Sequence, residues 1–321
     1  MPLVSIVIPC YRQGHLLHDA ISSALNQSYQ NIEVIVVNDG SDDCTHDVAD
    51  RFGLRIRYVL KANGGLSSAR NSGIAIARGK YVMFLDSDDL LSREAVELLV
   101  LATAGRDDVI VASGFRRFTS DPSVGLLPDR MPVSTADPVR HMITWSLGPV
   151  HSFLCSAALA RQVGGFNESL RSCEDWDFWI RLAFEGATVI PVEHVGAFYR
   201  DSPGSMSKDA RTMLKSRAEL LLLVHKRITV SSEMLRKYGG DLIITEQRVL
   251  HRLLAHKLHG ELPKRLCTAI RDLEKAGIPL RRSIPKRFLR MICGNLSDRI
   301  SISVQRLVSP SAIKEYRREF F

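Results

Sequence analysis

The sequence lacks the features of several protein classes. None of the apolar runs in its 321 residues approaches the roughly 18 residues of a transmembrane helix. The chain does not begin with a basic segment and a long apolar stretch, so we expect no secretory signal. Its six cysteines form no C-x-x-C motif, which disfavours a zinc site and a disulfide framework. We therefore expect reduced thiols and a cytoplasmic protein.

Two nucleotide-binding signatures are also absent. The first apolar run is followed by PCYRQG at residues 9–14, which is not the G-x-G-x-x-G of a dinucleotide-binding fold. The chain contains no P-loop either. Any nucleotide must therefore be bound by other means.

Charge is distributed unevenly along the chain. The formal net charge is +8, but residues 1–205 carry 18 Lys and Arg against 24 Asp and Glu. Residues 206–321 carry 25 Lys and Arg against 11 Asp and Glu. This asymmetry predicts two parts, a domain at 1–205 and a basic, mostly helical region at 206–321. The basic region would suit an anionic membrane surface, an acidic partner or nucleic acid.

In the first part, short apolar runs alternate with helical patterns. The predicted strands are Leu3–Ile8, Ile32–Val37, Arg55–Leu60, Lys80–Leu85 and Val109–Ser113. The main predicted helices are His15–Asn26, Ser67–Ala77, Ser92–Ala102 with Ser92 as its cap, and Glu174–Glu185. Residues 118–149 are predicted to be irregular. This alternation predicts an α/β fold with a mostly parallel sheet flanked by helices.

Polar residues follow three of the predicted strands. They are Pro9 to Tyr11, Asp39 after the second strand, and Asp86 with Asp88 after the fourth. In open parallel sheets, ligands bind beyond the carboxyl ends of the strands. We therefore expect carboxylates and an aromatic ring along one edge of the sheet.

Asp86 and Asp88 have the spacing of a metal site. At the end of an extended strand, residues i and i+2 point the same way, so the two carboxylates would form an oxygen-rich site for Mg²⁺ or Mn²⁺. The alternative is a solvated turn.

Other candidate residues also have structural alternatives. Asp39 could accept a hydrogen bond from a base or ribose, or belong to a tight turn. Arg70 could contact a diphosphate, or lie on the surface. In the Glu174-Asp175 pair, a carboxylate could act as a general base, or Asp175 could form a capping box with Ser172.

Four stretches together resemble the inverting family 2 glycosyltransferases, which have the GT-A fold. The resemblance covers roughly residues 3–205. The matching stretches, in the family's order and spacing, are VSIVIPCYRQ (4–13), AISSALNQSYQNIEVIVVNDGSDD (20–43), NGGLSSARNSGIAIARGKYVMFLDSDD (63–89) and GGFNESLRSCEDWDFWIRLAFEG (164–186).

The resemblance implies a role for each residue of the donor site. Pro9, Tyr11 and Asp39 match the positions that hold the nucleotide base, and Arg70 matches the diphosphate contact. Asp86 would contact ribose and metal.

It also implies which residues carry out the chemistry. Asp88 would be the principal ligand of Mn²⁺ or Mg²⁺, and Asp175, the second acid of the Glu174-Asp175 pair, the catalytic base. We also expect Arg181 to face the cleft.

The chain departs from the family at Ser202, where relatives often carry a histidine in a mobile loop. Serine cannot replace imidazole as a metal or phosphate ligand at neutral pH. Arg200 would compensate.

The expected activity is transfer of one sugar from a nucleotide diphosphate sugar to an acceptor hydroxyl. We favour a UDP-sugar donor, a sugar or lipid-linked acceptor, and a role in cell-surface polysaccharide or glycolipid synthesis. The alternatives are a non-catalytic nucleotide-sugar-binding scaffold and a nucleic-acid-binding protein. Nucleic acid is disfavoured because the basic tail has no recognition motif.

Residues 281–292 combine basic and apolar side chains. This pattern predicts peripheral contact with an anionic membrane surface, at the inner face of the membrane. The alternative is a helical region that packs on the catalytic part or mediates a homodimer.

Overall fold

We analysed a computed structural model of the chain. It describes residues 1–124, 129–132, 134–202, 205, 208–256, 258 and 260–278. The segment 281–292, for which we predicted membrane contact, lies outside the described residues.

The described chain is an α/β structure followed by three helices. Its strands are β1 Val4–Cys10, β2 Ile32–Asn38, β3 Arg57–Leu60, β4 Tyr81–Phe84, β5 Leu90–Leu91, β6 Val109–Phe118, β7 Phe153–Ser156 and β8 Thr188–Arg200. Its α-helices are α1 Gly14–Leu25, α2 Thr45–Asp50, α3 Leu66–Ile76, α4 Ala95–Thr103, α5 Pro138–Thr144, α6 Ala157–Gln162, α7 Glu174–Phe184, α8 Ala210–Thr229, α9 Ser232–Ala255 and α10 Glu261–Lys275.

The strands form one sheet in the order β3-β2-β1-β4-β7-β6-β8-β5. β1 pairs in parallel with β2 and β4, β2 with β3, and β6 with β8. β7 is antiparallel to both β4 and β6, and β5 is antiparallel to β8. The sheet is therefore mostly parallel, as predicted.

Alternation along the strands divides the core between the two faces of the sheet. On β1, Ile6 and Ile8 join a cluster with α1, α2 and α4, whereas Val7 points into the other cluster. Successive side chains of a strand point to opposite faces, so a fully apolar strand supplies both clusters. The cluster around Val7 extends without interruption to α8, α9 and α10, for example to Leu221, Leu250 and Leu266.

Two local predictions were wrong. Ser92 does not cap α4, which begins at Ala95 after Glu94. The N–H of Ser92 bonds to the carbonyl of Gly196 in β8, next to the pairing of β5 with β8. The Ser92 hydroxyl instead lies 2.9 Å from Nε2 of His194. Residues 118–149 are not wholly irregular, since they contain α5, where Asp137 accepts a hydrogen bond from the backbone N–H of Arg140.

Candidate functional site

The pairing of three strands brings the predicted polar residues to one edge of the sheet. β1 lies between β2 and β4, and Cys10 stands beside Asn38 at the end of the ladder. The N–H of Leu85, just after β4, bonds to the carbonyl of Val7. The segments that follow these strands, which carry Tyr11, Asp39 and Asp86, therefore begin side by side at this edge.

Asp39 is a buried carboxylate at this edge. It accepts hydrogen bonds from Lys61 Nζ at 2.6 Å, from the N–H of Gly64 at 3.0 Å and from the N–H of Gly65 at 2.7 Å. These bonds tie the end of β2 to the loop that leads into α3. The predicted turn is also present, because Gly40 has φ of 75° and a Cβ there would lie 2.8 Å from the backbone nitrogen of Asn63.

The other two base-site candidates differ in exposure. Tyr11 is 43% exposed, with the Arg12 guanidinium 5.2 Å above its ring. Its ring is therefore available for stacking. Pro9 is buried within β1, so it shapes the backbone of this edge rather than offering an exposed ring.

Arg70 is not a surface residue. It is 1% exposed, and its guanidinium donates to Glu174 at 2.8 Å and to Asp86 at 2.6 Å. Its guanidinium carbon also lies 5.0 Å from the centre of the Phe166 ring. Burial opposes its charge, but the two carboxylates outweigh burial and raise the pKa of Arg70. Arg70 therefore joins the start of α7 to the turn after β4.

Asp175 lies beside this bridge on the first turn of α7. Burial, and then the Glu174 carboxylate, raise the pKa of Asp175 to about 7, and Arg70 opposes the shift. A carboxyl group in such a setting can exchange a proton near neutral pH.

The capping-box prediction for Ser172 and Asp175 was wrong. α7 begins at Glu174, and Cys173, with φ of 60°, occupies the position before it. Within the described chain, no side chain caps this helix, and the Ser172 hydroxyl has no hydrogen-bond partner. The left-handed Cys173, and not Ser172, occupies the cap position, so the spacing alone was misleading.

The acidic segment after β4 is a turn and not an extended strand. β4 ends at Phe84, and the N–H of Asp89 bonds to the carbonyl of Asp86 at 3.0 Å. The strand alternation used to pair Asp86 with Asp88 therefore does not apply. Asp86 bonds to Arg70, whereas Asp88 accepts a 3.2 Å hydrogen bond from Gln13. Burial, and then the Asp86 charge, raise the pKa of Asp88.

Two residues of the site were missed by sequence reasoning. Asp86, Asp89 and His151 each offer one ligand atom, and these atoms lie within 4.8 Å of one another. His151 is fully buried, with Nδ1 3.2 Å from Asp89 Oδ2, and neither ring nitrogen meets hydrogen-bond geometry within the described residues. Burial lowers the pKa of His151 to about 4, so the imidazole is neutral, the form that binds metals.

A sequence signal existed for only one of them. Asp89 is the fourth residue of Asp86-Ser87-Asp88-Asp89, so a third acid in the motif could have been noticed. His151 follows a Pro-rich segment 62 positions later, and nothing in its surroundings distinguishes it.

Arg200 joins the turn as well. Its N–H donates to Asp89 at 2.6 Å, and its Nε donates to the carbonyl of Asp88 at 2.7 Å. The end of β8 is thereby fastened to the acidic turn. Ser202 lies beyond this junction, with its hydroxyl 2.9 Å from that of Ser205.

Arg181 is not brought to this cluster, contrary to expectation. Its guanidinium donates to Asp177 at 2.7 Å and to the carbonyl of Val163 at 2.7 Å. It lies about a third of a turn around the helix from Asp175 and about 9 Å along the axis. The helix therefore presents the two residues to different surroundings.

Comparison with known proteins indicates a family for the first part of the chain. Residues 5–159 match the family model described as "Glycosyl transferase family 2". This segment, slightly less than half of the chain, is similar to glycosyl transferase family 2.

The curated relatives agree with this assignment. A protein of Rickettsia prowazekii named as an uncharacterized glycosyltransferase is 35% identical over 191 residues, which cover 56% of this chain and 58% of that protein. The uncharacterized glycosyltransferase EpsJ of Bacillus subtilis is 32% identical over 219 residues, covering 65% of this chain and 64% of EpsJ. The chain thus matches about three fifths of the length of these relatives, and the family and relatives support sugar transfer.

Solved structures confirm the GT-A fold. S. aureus TarS 1-349 in complex with UDP-GlcNAc superposes with a TM-score of 0.64 at 18% identity, covering 90% of this chain and 83% of that one. The mannosyltransferase PcManGT from Pyrobaculum calidifontis, in complex with GDP-Man and Mn²⁺, gives a TM-score of 0.56 at 15% identity, covering 90% and 79%. Separately, no described helix is long and apolar enough to cross a membrane.

Proposed function

We propose that this chain is an inverting, metal-dependent glycosyltransferase of family 2. It would transfer one sugar from a nucleotide diphosphate sugar, with a UDP-sugar as the first candidate, to an acceptor hydroxyl. The observation that carries the proposal is the Arg70 bridge, which holds the acidic turn after β4 against the first turn of α7. Asp175, the residue after Glu174, interacts electrostatically with Asp86 of this turn.

Asp175 is the residue proposed to move the proton. With a pKa raised to about 7, its carboxylate can accept the proton of the acceptor hydroxyl near neutral pH. The acceptor oxygen then bonds to the anomeric carbon as the bond to the diphosphate breaks on the opposite face. A single displacement of this kind inverts the anomeric centre.

The donor would lie along the edge formed by β1, β2 and β4. Tyr11 offers an exposed ring for stacking on the base, and Asp39 holds the neighbouring loop through two backbone N–H groups. Contact between Arg70 and the diphosphate stays a prediction, because both ends of its guanidinium already bond to carboxylates.

The residues of the acidic turn fit a divalent metal. Carboxylate oxygens suit Mg²⁺ and Mn²⁺, and the neutral imidazole of His151 favours Mn²⁺ of these two. When bound, the metal would neutralise negative charge on the departing diphosphate. The resemblance assigns Asp88 as its main ligand, whereas the geometry groups Asp86, Asp89 and His151.

Titration of UDP into two variants, with and without Mn²⁺, distinguishes these ligand sets. We expect Asp88→Asn to remove the Mn²⁺ dependence of UDP binding if Asp88 is the main ligand. His151→Gln would remove it if the buried group holds the metal. Calorimetric titration of UDP with and without Mn²⁺ measures both. Unchanged metal dependence in the two variants would contradict a metal site at this turn.

A donor panel tests the activity itself. Purified chain is incubated with UDP-, GDP- and dTDP-sugars and Mn²⁺, and released nucleotide diphosphate is measured. We expect slow hydrolysis of one donor class and thermal stabilisation by the matching nucleotide. Asp175→Asn should keep that stabilisation and lose about 10²–10⁴-fold in turnover. Stabilisation without turnover in the unsubstituted chain would instead favour a nucleotide-sugar-binding scaffold.

The cellular setting is proposed from the donor chemistry and the composition of the tail. A sugar or lipid-linked acceptor, a role in cell-surface polysaccharide or glycolipid synthesis, and a cytoplasmic position at the inner face of the membrane agree with the expected donor chemistry and with the basic tail.

A further inference from the structure

A cavity lies between the C-terminal halves of α7 and α8, away from the acidic cluster. Its volume is about 540 Å³, within the range of ~300–1,000 Å³ typical of small-molecule sites. Most of its wall is apolar and is formed by Ile180, Phe184, Leu223, Val224 and Val230. The cavity is therefore large enough, and apolar enough, to hold part of a hydrocarbon chain.

Three cationic side chains border this cavity. Arg181 is held rigidly by Asp177 and by the Val163 carbonyl. Arg227 lies over the Phe184 ring at 5.4 Å and makes one longer contact of 3.5 Å with Glu185. Lys226 is exposed and makes no ion pair with the described residues. The border thus combines one pre-ordered guanidinium with two accessible cations.

The positive charge at the border of the cavity favours an anionic ligand. Arg181 and Arg227 each have a carboxylate partner, but Lys226 adds a positive charge that the described residues do not balance. The chain's own tail is a poor occupant, because residues 279–321 contain 10 Lys and Arg against three Asp and Glu. An anionic group is favoured, and Arg and Lys suit phosphate oxygens.

The cavity also differs from a site for a free phosphate ion. An inorganic anion would leave the accessible apolar surface of Phe184, Leu223 and Val230 in contact with water, whereas a hydrocarbon chain would cover it. We propose that this cavity binds a single-chain amphiphile with a phosphate head, its chain between α7 and α8 and its head beside Arg181, Lys226 and Arg227. The proposal is independent of the sugar-transfer chemistry.

Titration of the full-length protein with decyl phosphate, below the concentration at which it forms micelles, tests this assignment. We expect saturable binding by calorimetry, and much weaker binding of methyl phosphate, which lacks the chain, and of decanol, which lacks the head. Added salt should weaken the binding of decyl phosphate because the head contributes through charge. Absence of saturable binding, or equal binding of decanol, would overturn the proposal.

Two variants locate the site. Lys226→Glu reverses an exposed charge at the border, and Leu223→Trp fills part of the cavity from its wall. Each should weaken decyl phosphate binding by about tenfold or more. Lys215→Glu makes the same charge change on the exposed surface of α8, outside the cavity, and should bind as the unsubstituted chain does. Equal affinity of Lys226→Glu and Lys215→Glu would refute the assignment.

A separate measurement distinguishes this proposal from the sugar-transfer proposal. Donor hydrolysis by Lys226→Glu should match that of the unsubstituted chain, because Lys226 lies outside the acidic cluster. Loss of binding with unchanged hydrolysis supports a separate amphiphile site. A parallel loss of binding and hydrolysis, with the melting temperature lowered, would show that the substitution acts through folding and would count against a local role.

Discussion

At Asp175, two opposing effects set the proton affinity of one carboxyl group. A helix N-terminus stabilises an anion and would lower the pKa. Burial and the adjacent Glu174 carboxylate act in the other direction and raise it to about 7. Burial therefore outweighs the helix dipole at this position, which the sequence pattern alone did not indicate.

The pH dependence of activity follows from this shift. The base must be deprotonated to accept a proton, and a raised pKa means that the proton is retained to higher pH. We expect kcat/KM for the preferred donor to rise with pH through about 7, become constant above it, and fall about tenfold per pH unit below it. Initial rates with saturating Mn²⁺ measure this. A profile that stays constant well below pH 7 would exclude Asp175 as the base.

Arg70 is predicted to act mainly through structure. Arg70→Met removes the charge between Asp86 and Glu174 and leaves the buried Glu174 carboxylate and the partly exposed Asp86 carboxylate without this partner, at a cost of about 3–5 kcal/mol in the free energy of unfolding. Urea denaturation measures the loss.

A matched control separates stability from donor binding. Arg106→Met removes an arginine from an exposed pair with Asp108, just before β6, and should leave both stability and UDP binding nearly unchanged. If Arg70→Met left stability unchanged but weakened UDP binding, the diphosphate role implied by the resemblance would be correct and the structural role wrong.

At the scale of elements, α3 packs unusually close to β1. A Cβ on Gly73 would lie 2.2 Å from Cγ1 of Val7, so glycine is needed for this contact. The close approach positions α3, and with it Arg70, over β1 and β2. A helix-interior glycine, ordinarily unfavourable, is here required by packing.

This contact predicts a difference between two glycine substitutions within helices. Gly73→Ala should destabilise the fold by about 1–3 kcal/mol through overpacking. Gly240→Ala, in the interior of α9 with nothing within 4 Å of the added Cβ, should be neutral or stabilising by up to about 1 kcal/mol. Thermal or urea unfolding compares the two variants. Similar effects at both sites would contradict the close packing of α3 on β1.

Most elements of the first part were predictable because their sequence patterns are local. The apolar runs at 3–8, 32–37 and 80–85 correspond to β1, β2 and β4 within two residues at each end. Helix caps were less predictable. Ser92 and Ser172 were considered as caps, whereas Glu94 and Cys173 occupy the positions before α4 and α7.

At the scale of the whole molecule, the charge asymmetry does not coincide with a break in the core. α8 to α10 share a continuous apolar cluster with the sheet. The division of the chain into two parts at residue 205 therefore stays a prediction. The membrane hypothesis rests on residues 281–292, outside the described structure.

Vesicle flotation tests the tail in the full chain. Five substitutions to Gln at Arg281, Arg282, Lys286, Arg287 and Arg290 should abolish flotation with anionic vesicles, at about 1 kcal/mol per basic residue near the surface. The control changes five exposed basic residues of α8 to α10 to Gln, namely Arg211, Lys215, Arg236, Lys237 and Arg265. Equal flotation of both variants, or equal binding to neutral vesicles, would remove the membrane hypothesis.

The sequence by itself determined the succession of strands and helices and the edge at which Asp39, Asp86 and Asp88 collect. The reason is that β propensity and helical spacing are local, and parallel neighbouring strands necessarily share one carboxyl edge. Only the tertiary structure decided the partners of Arg70, the position of Arg181 away from the cluster, and the meeting of Asp89 with His151. These contacts join residues far apart in sequence, across antiparallel β7 and the packing of α7, and no local pattern encodes them.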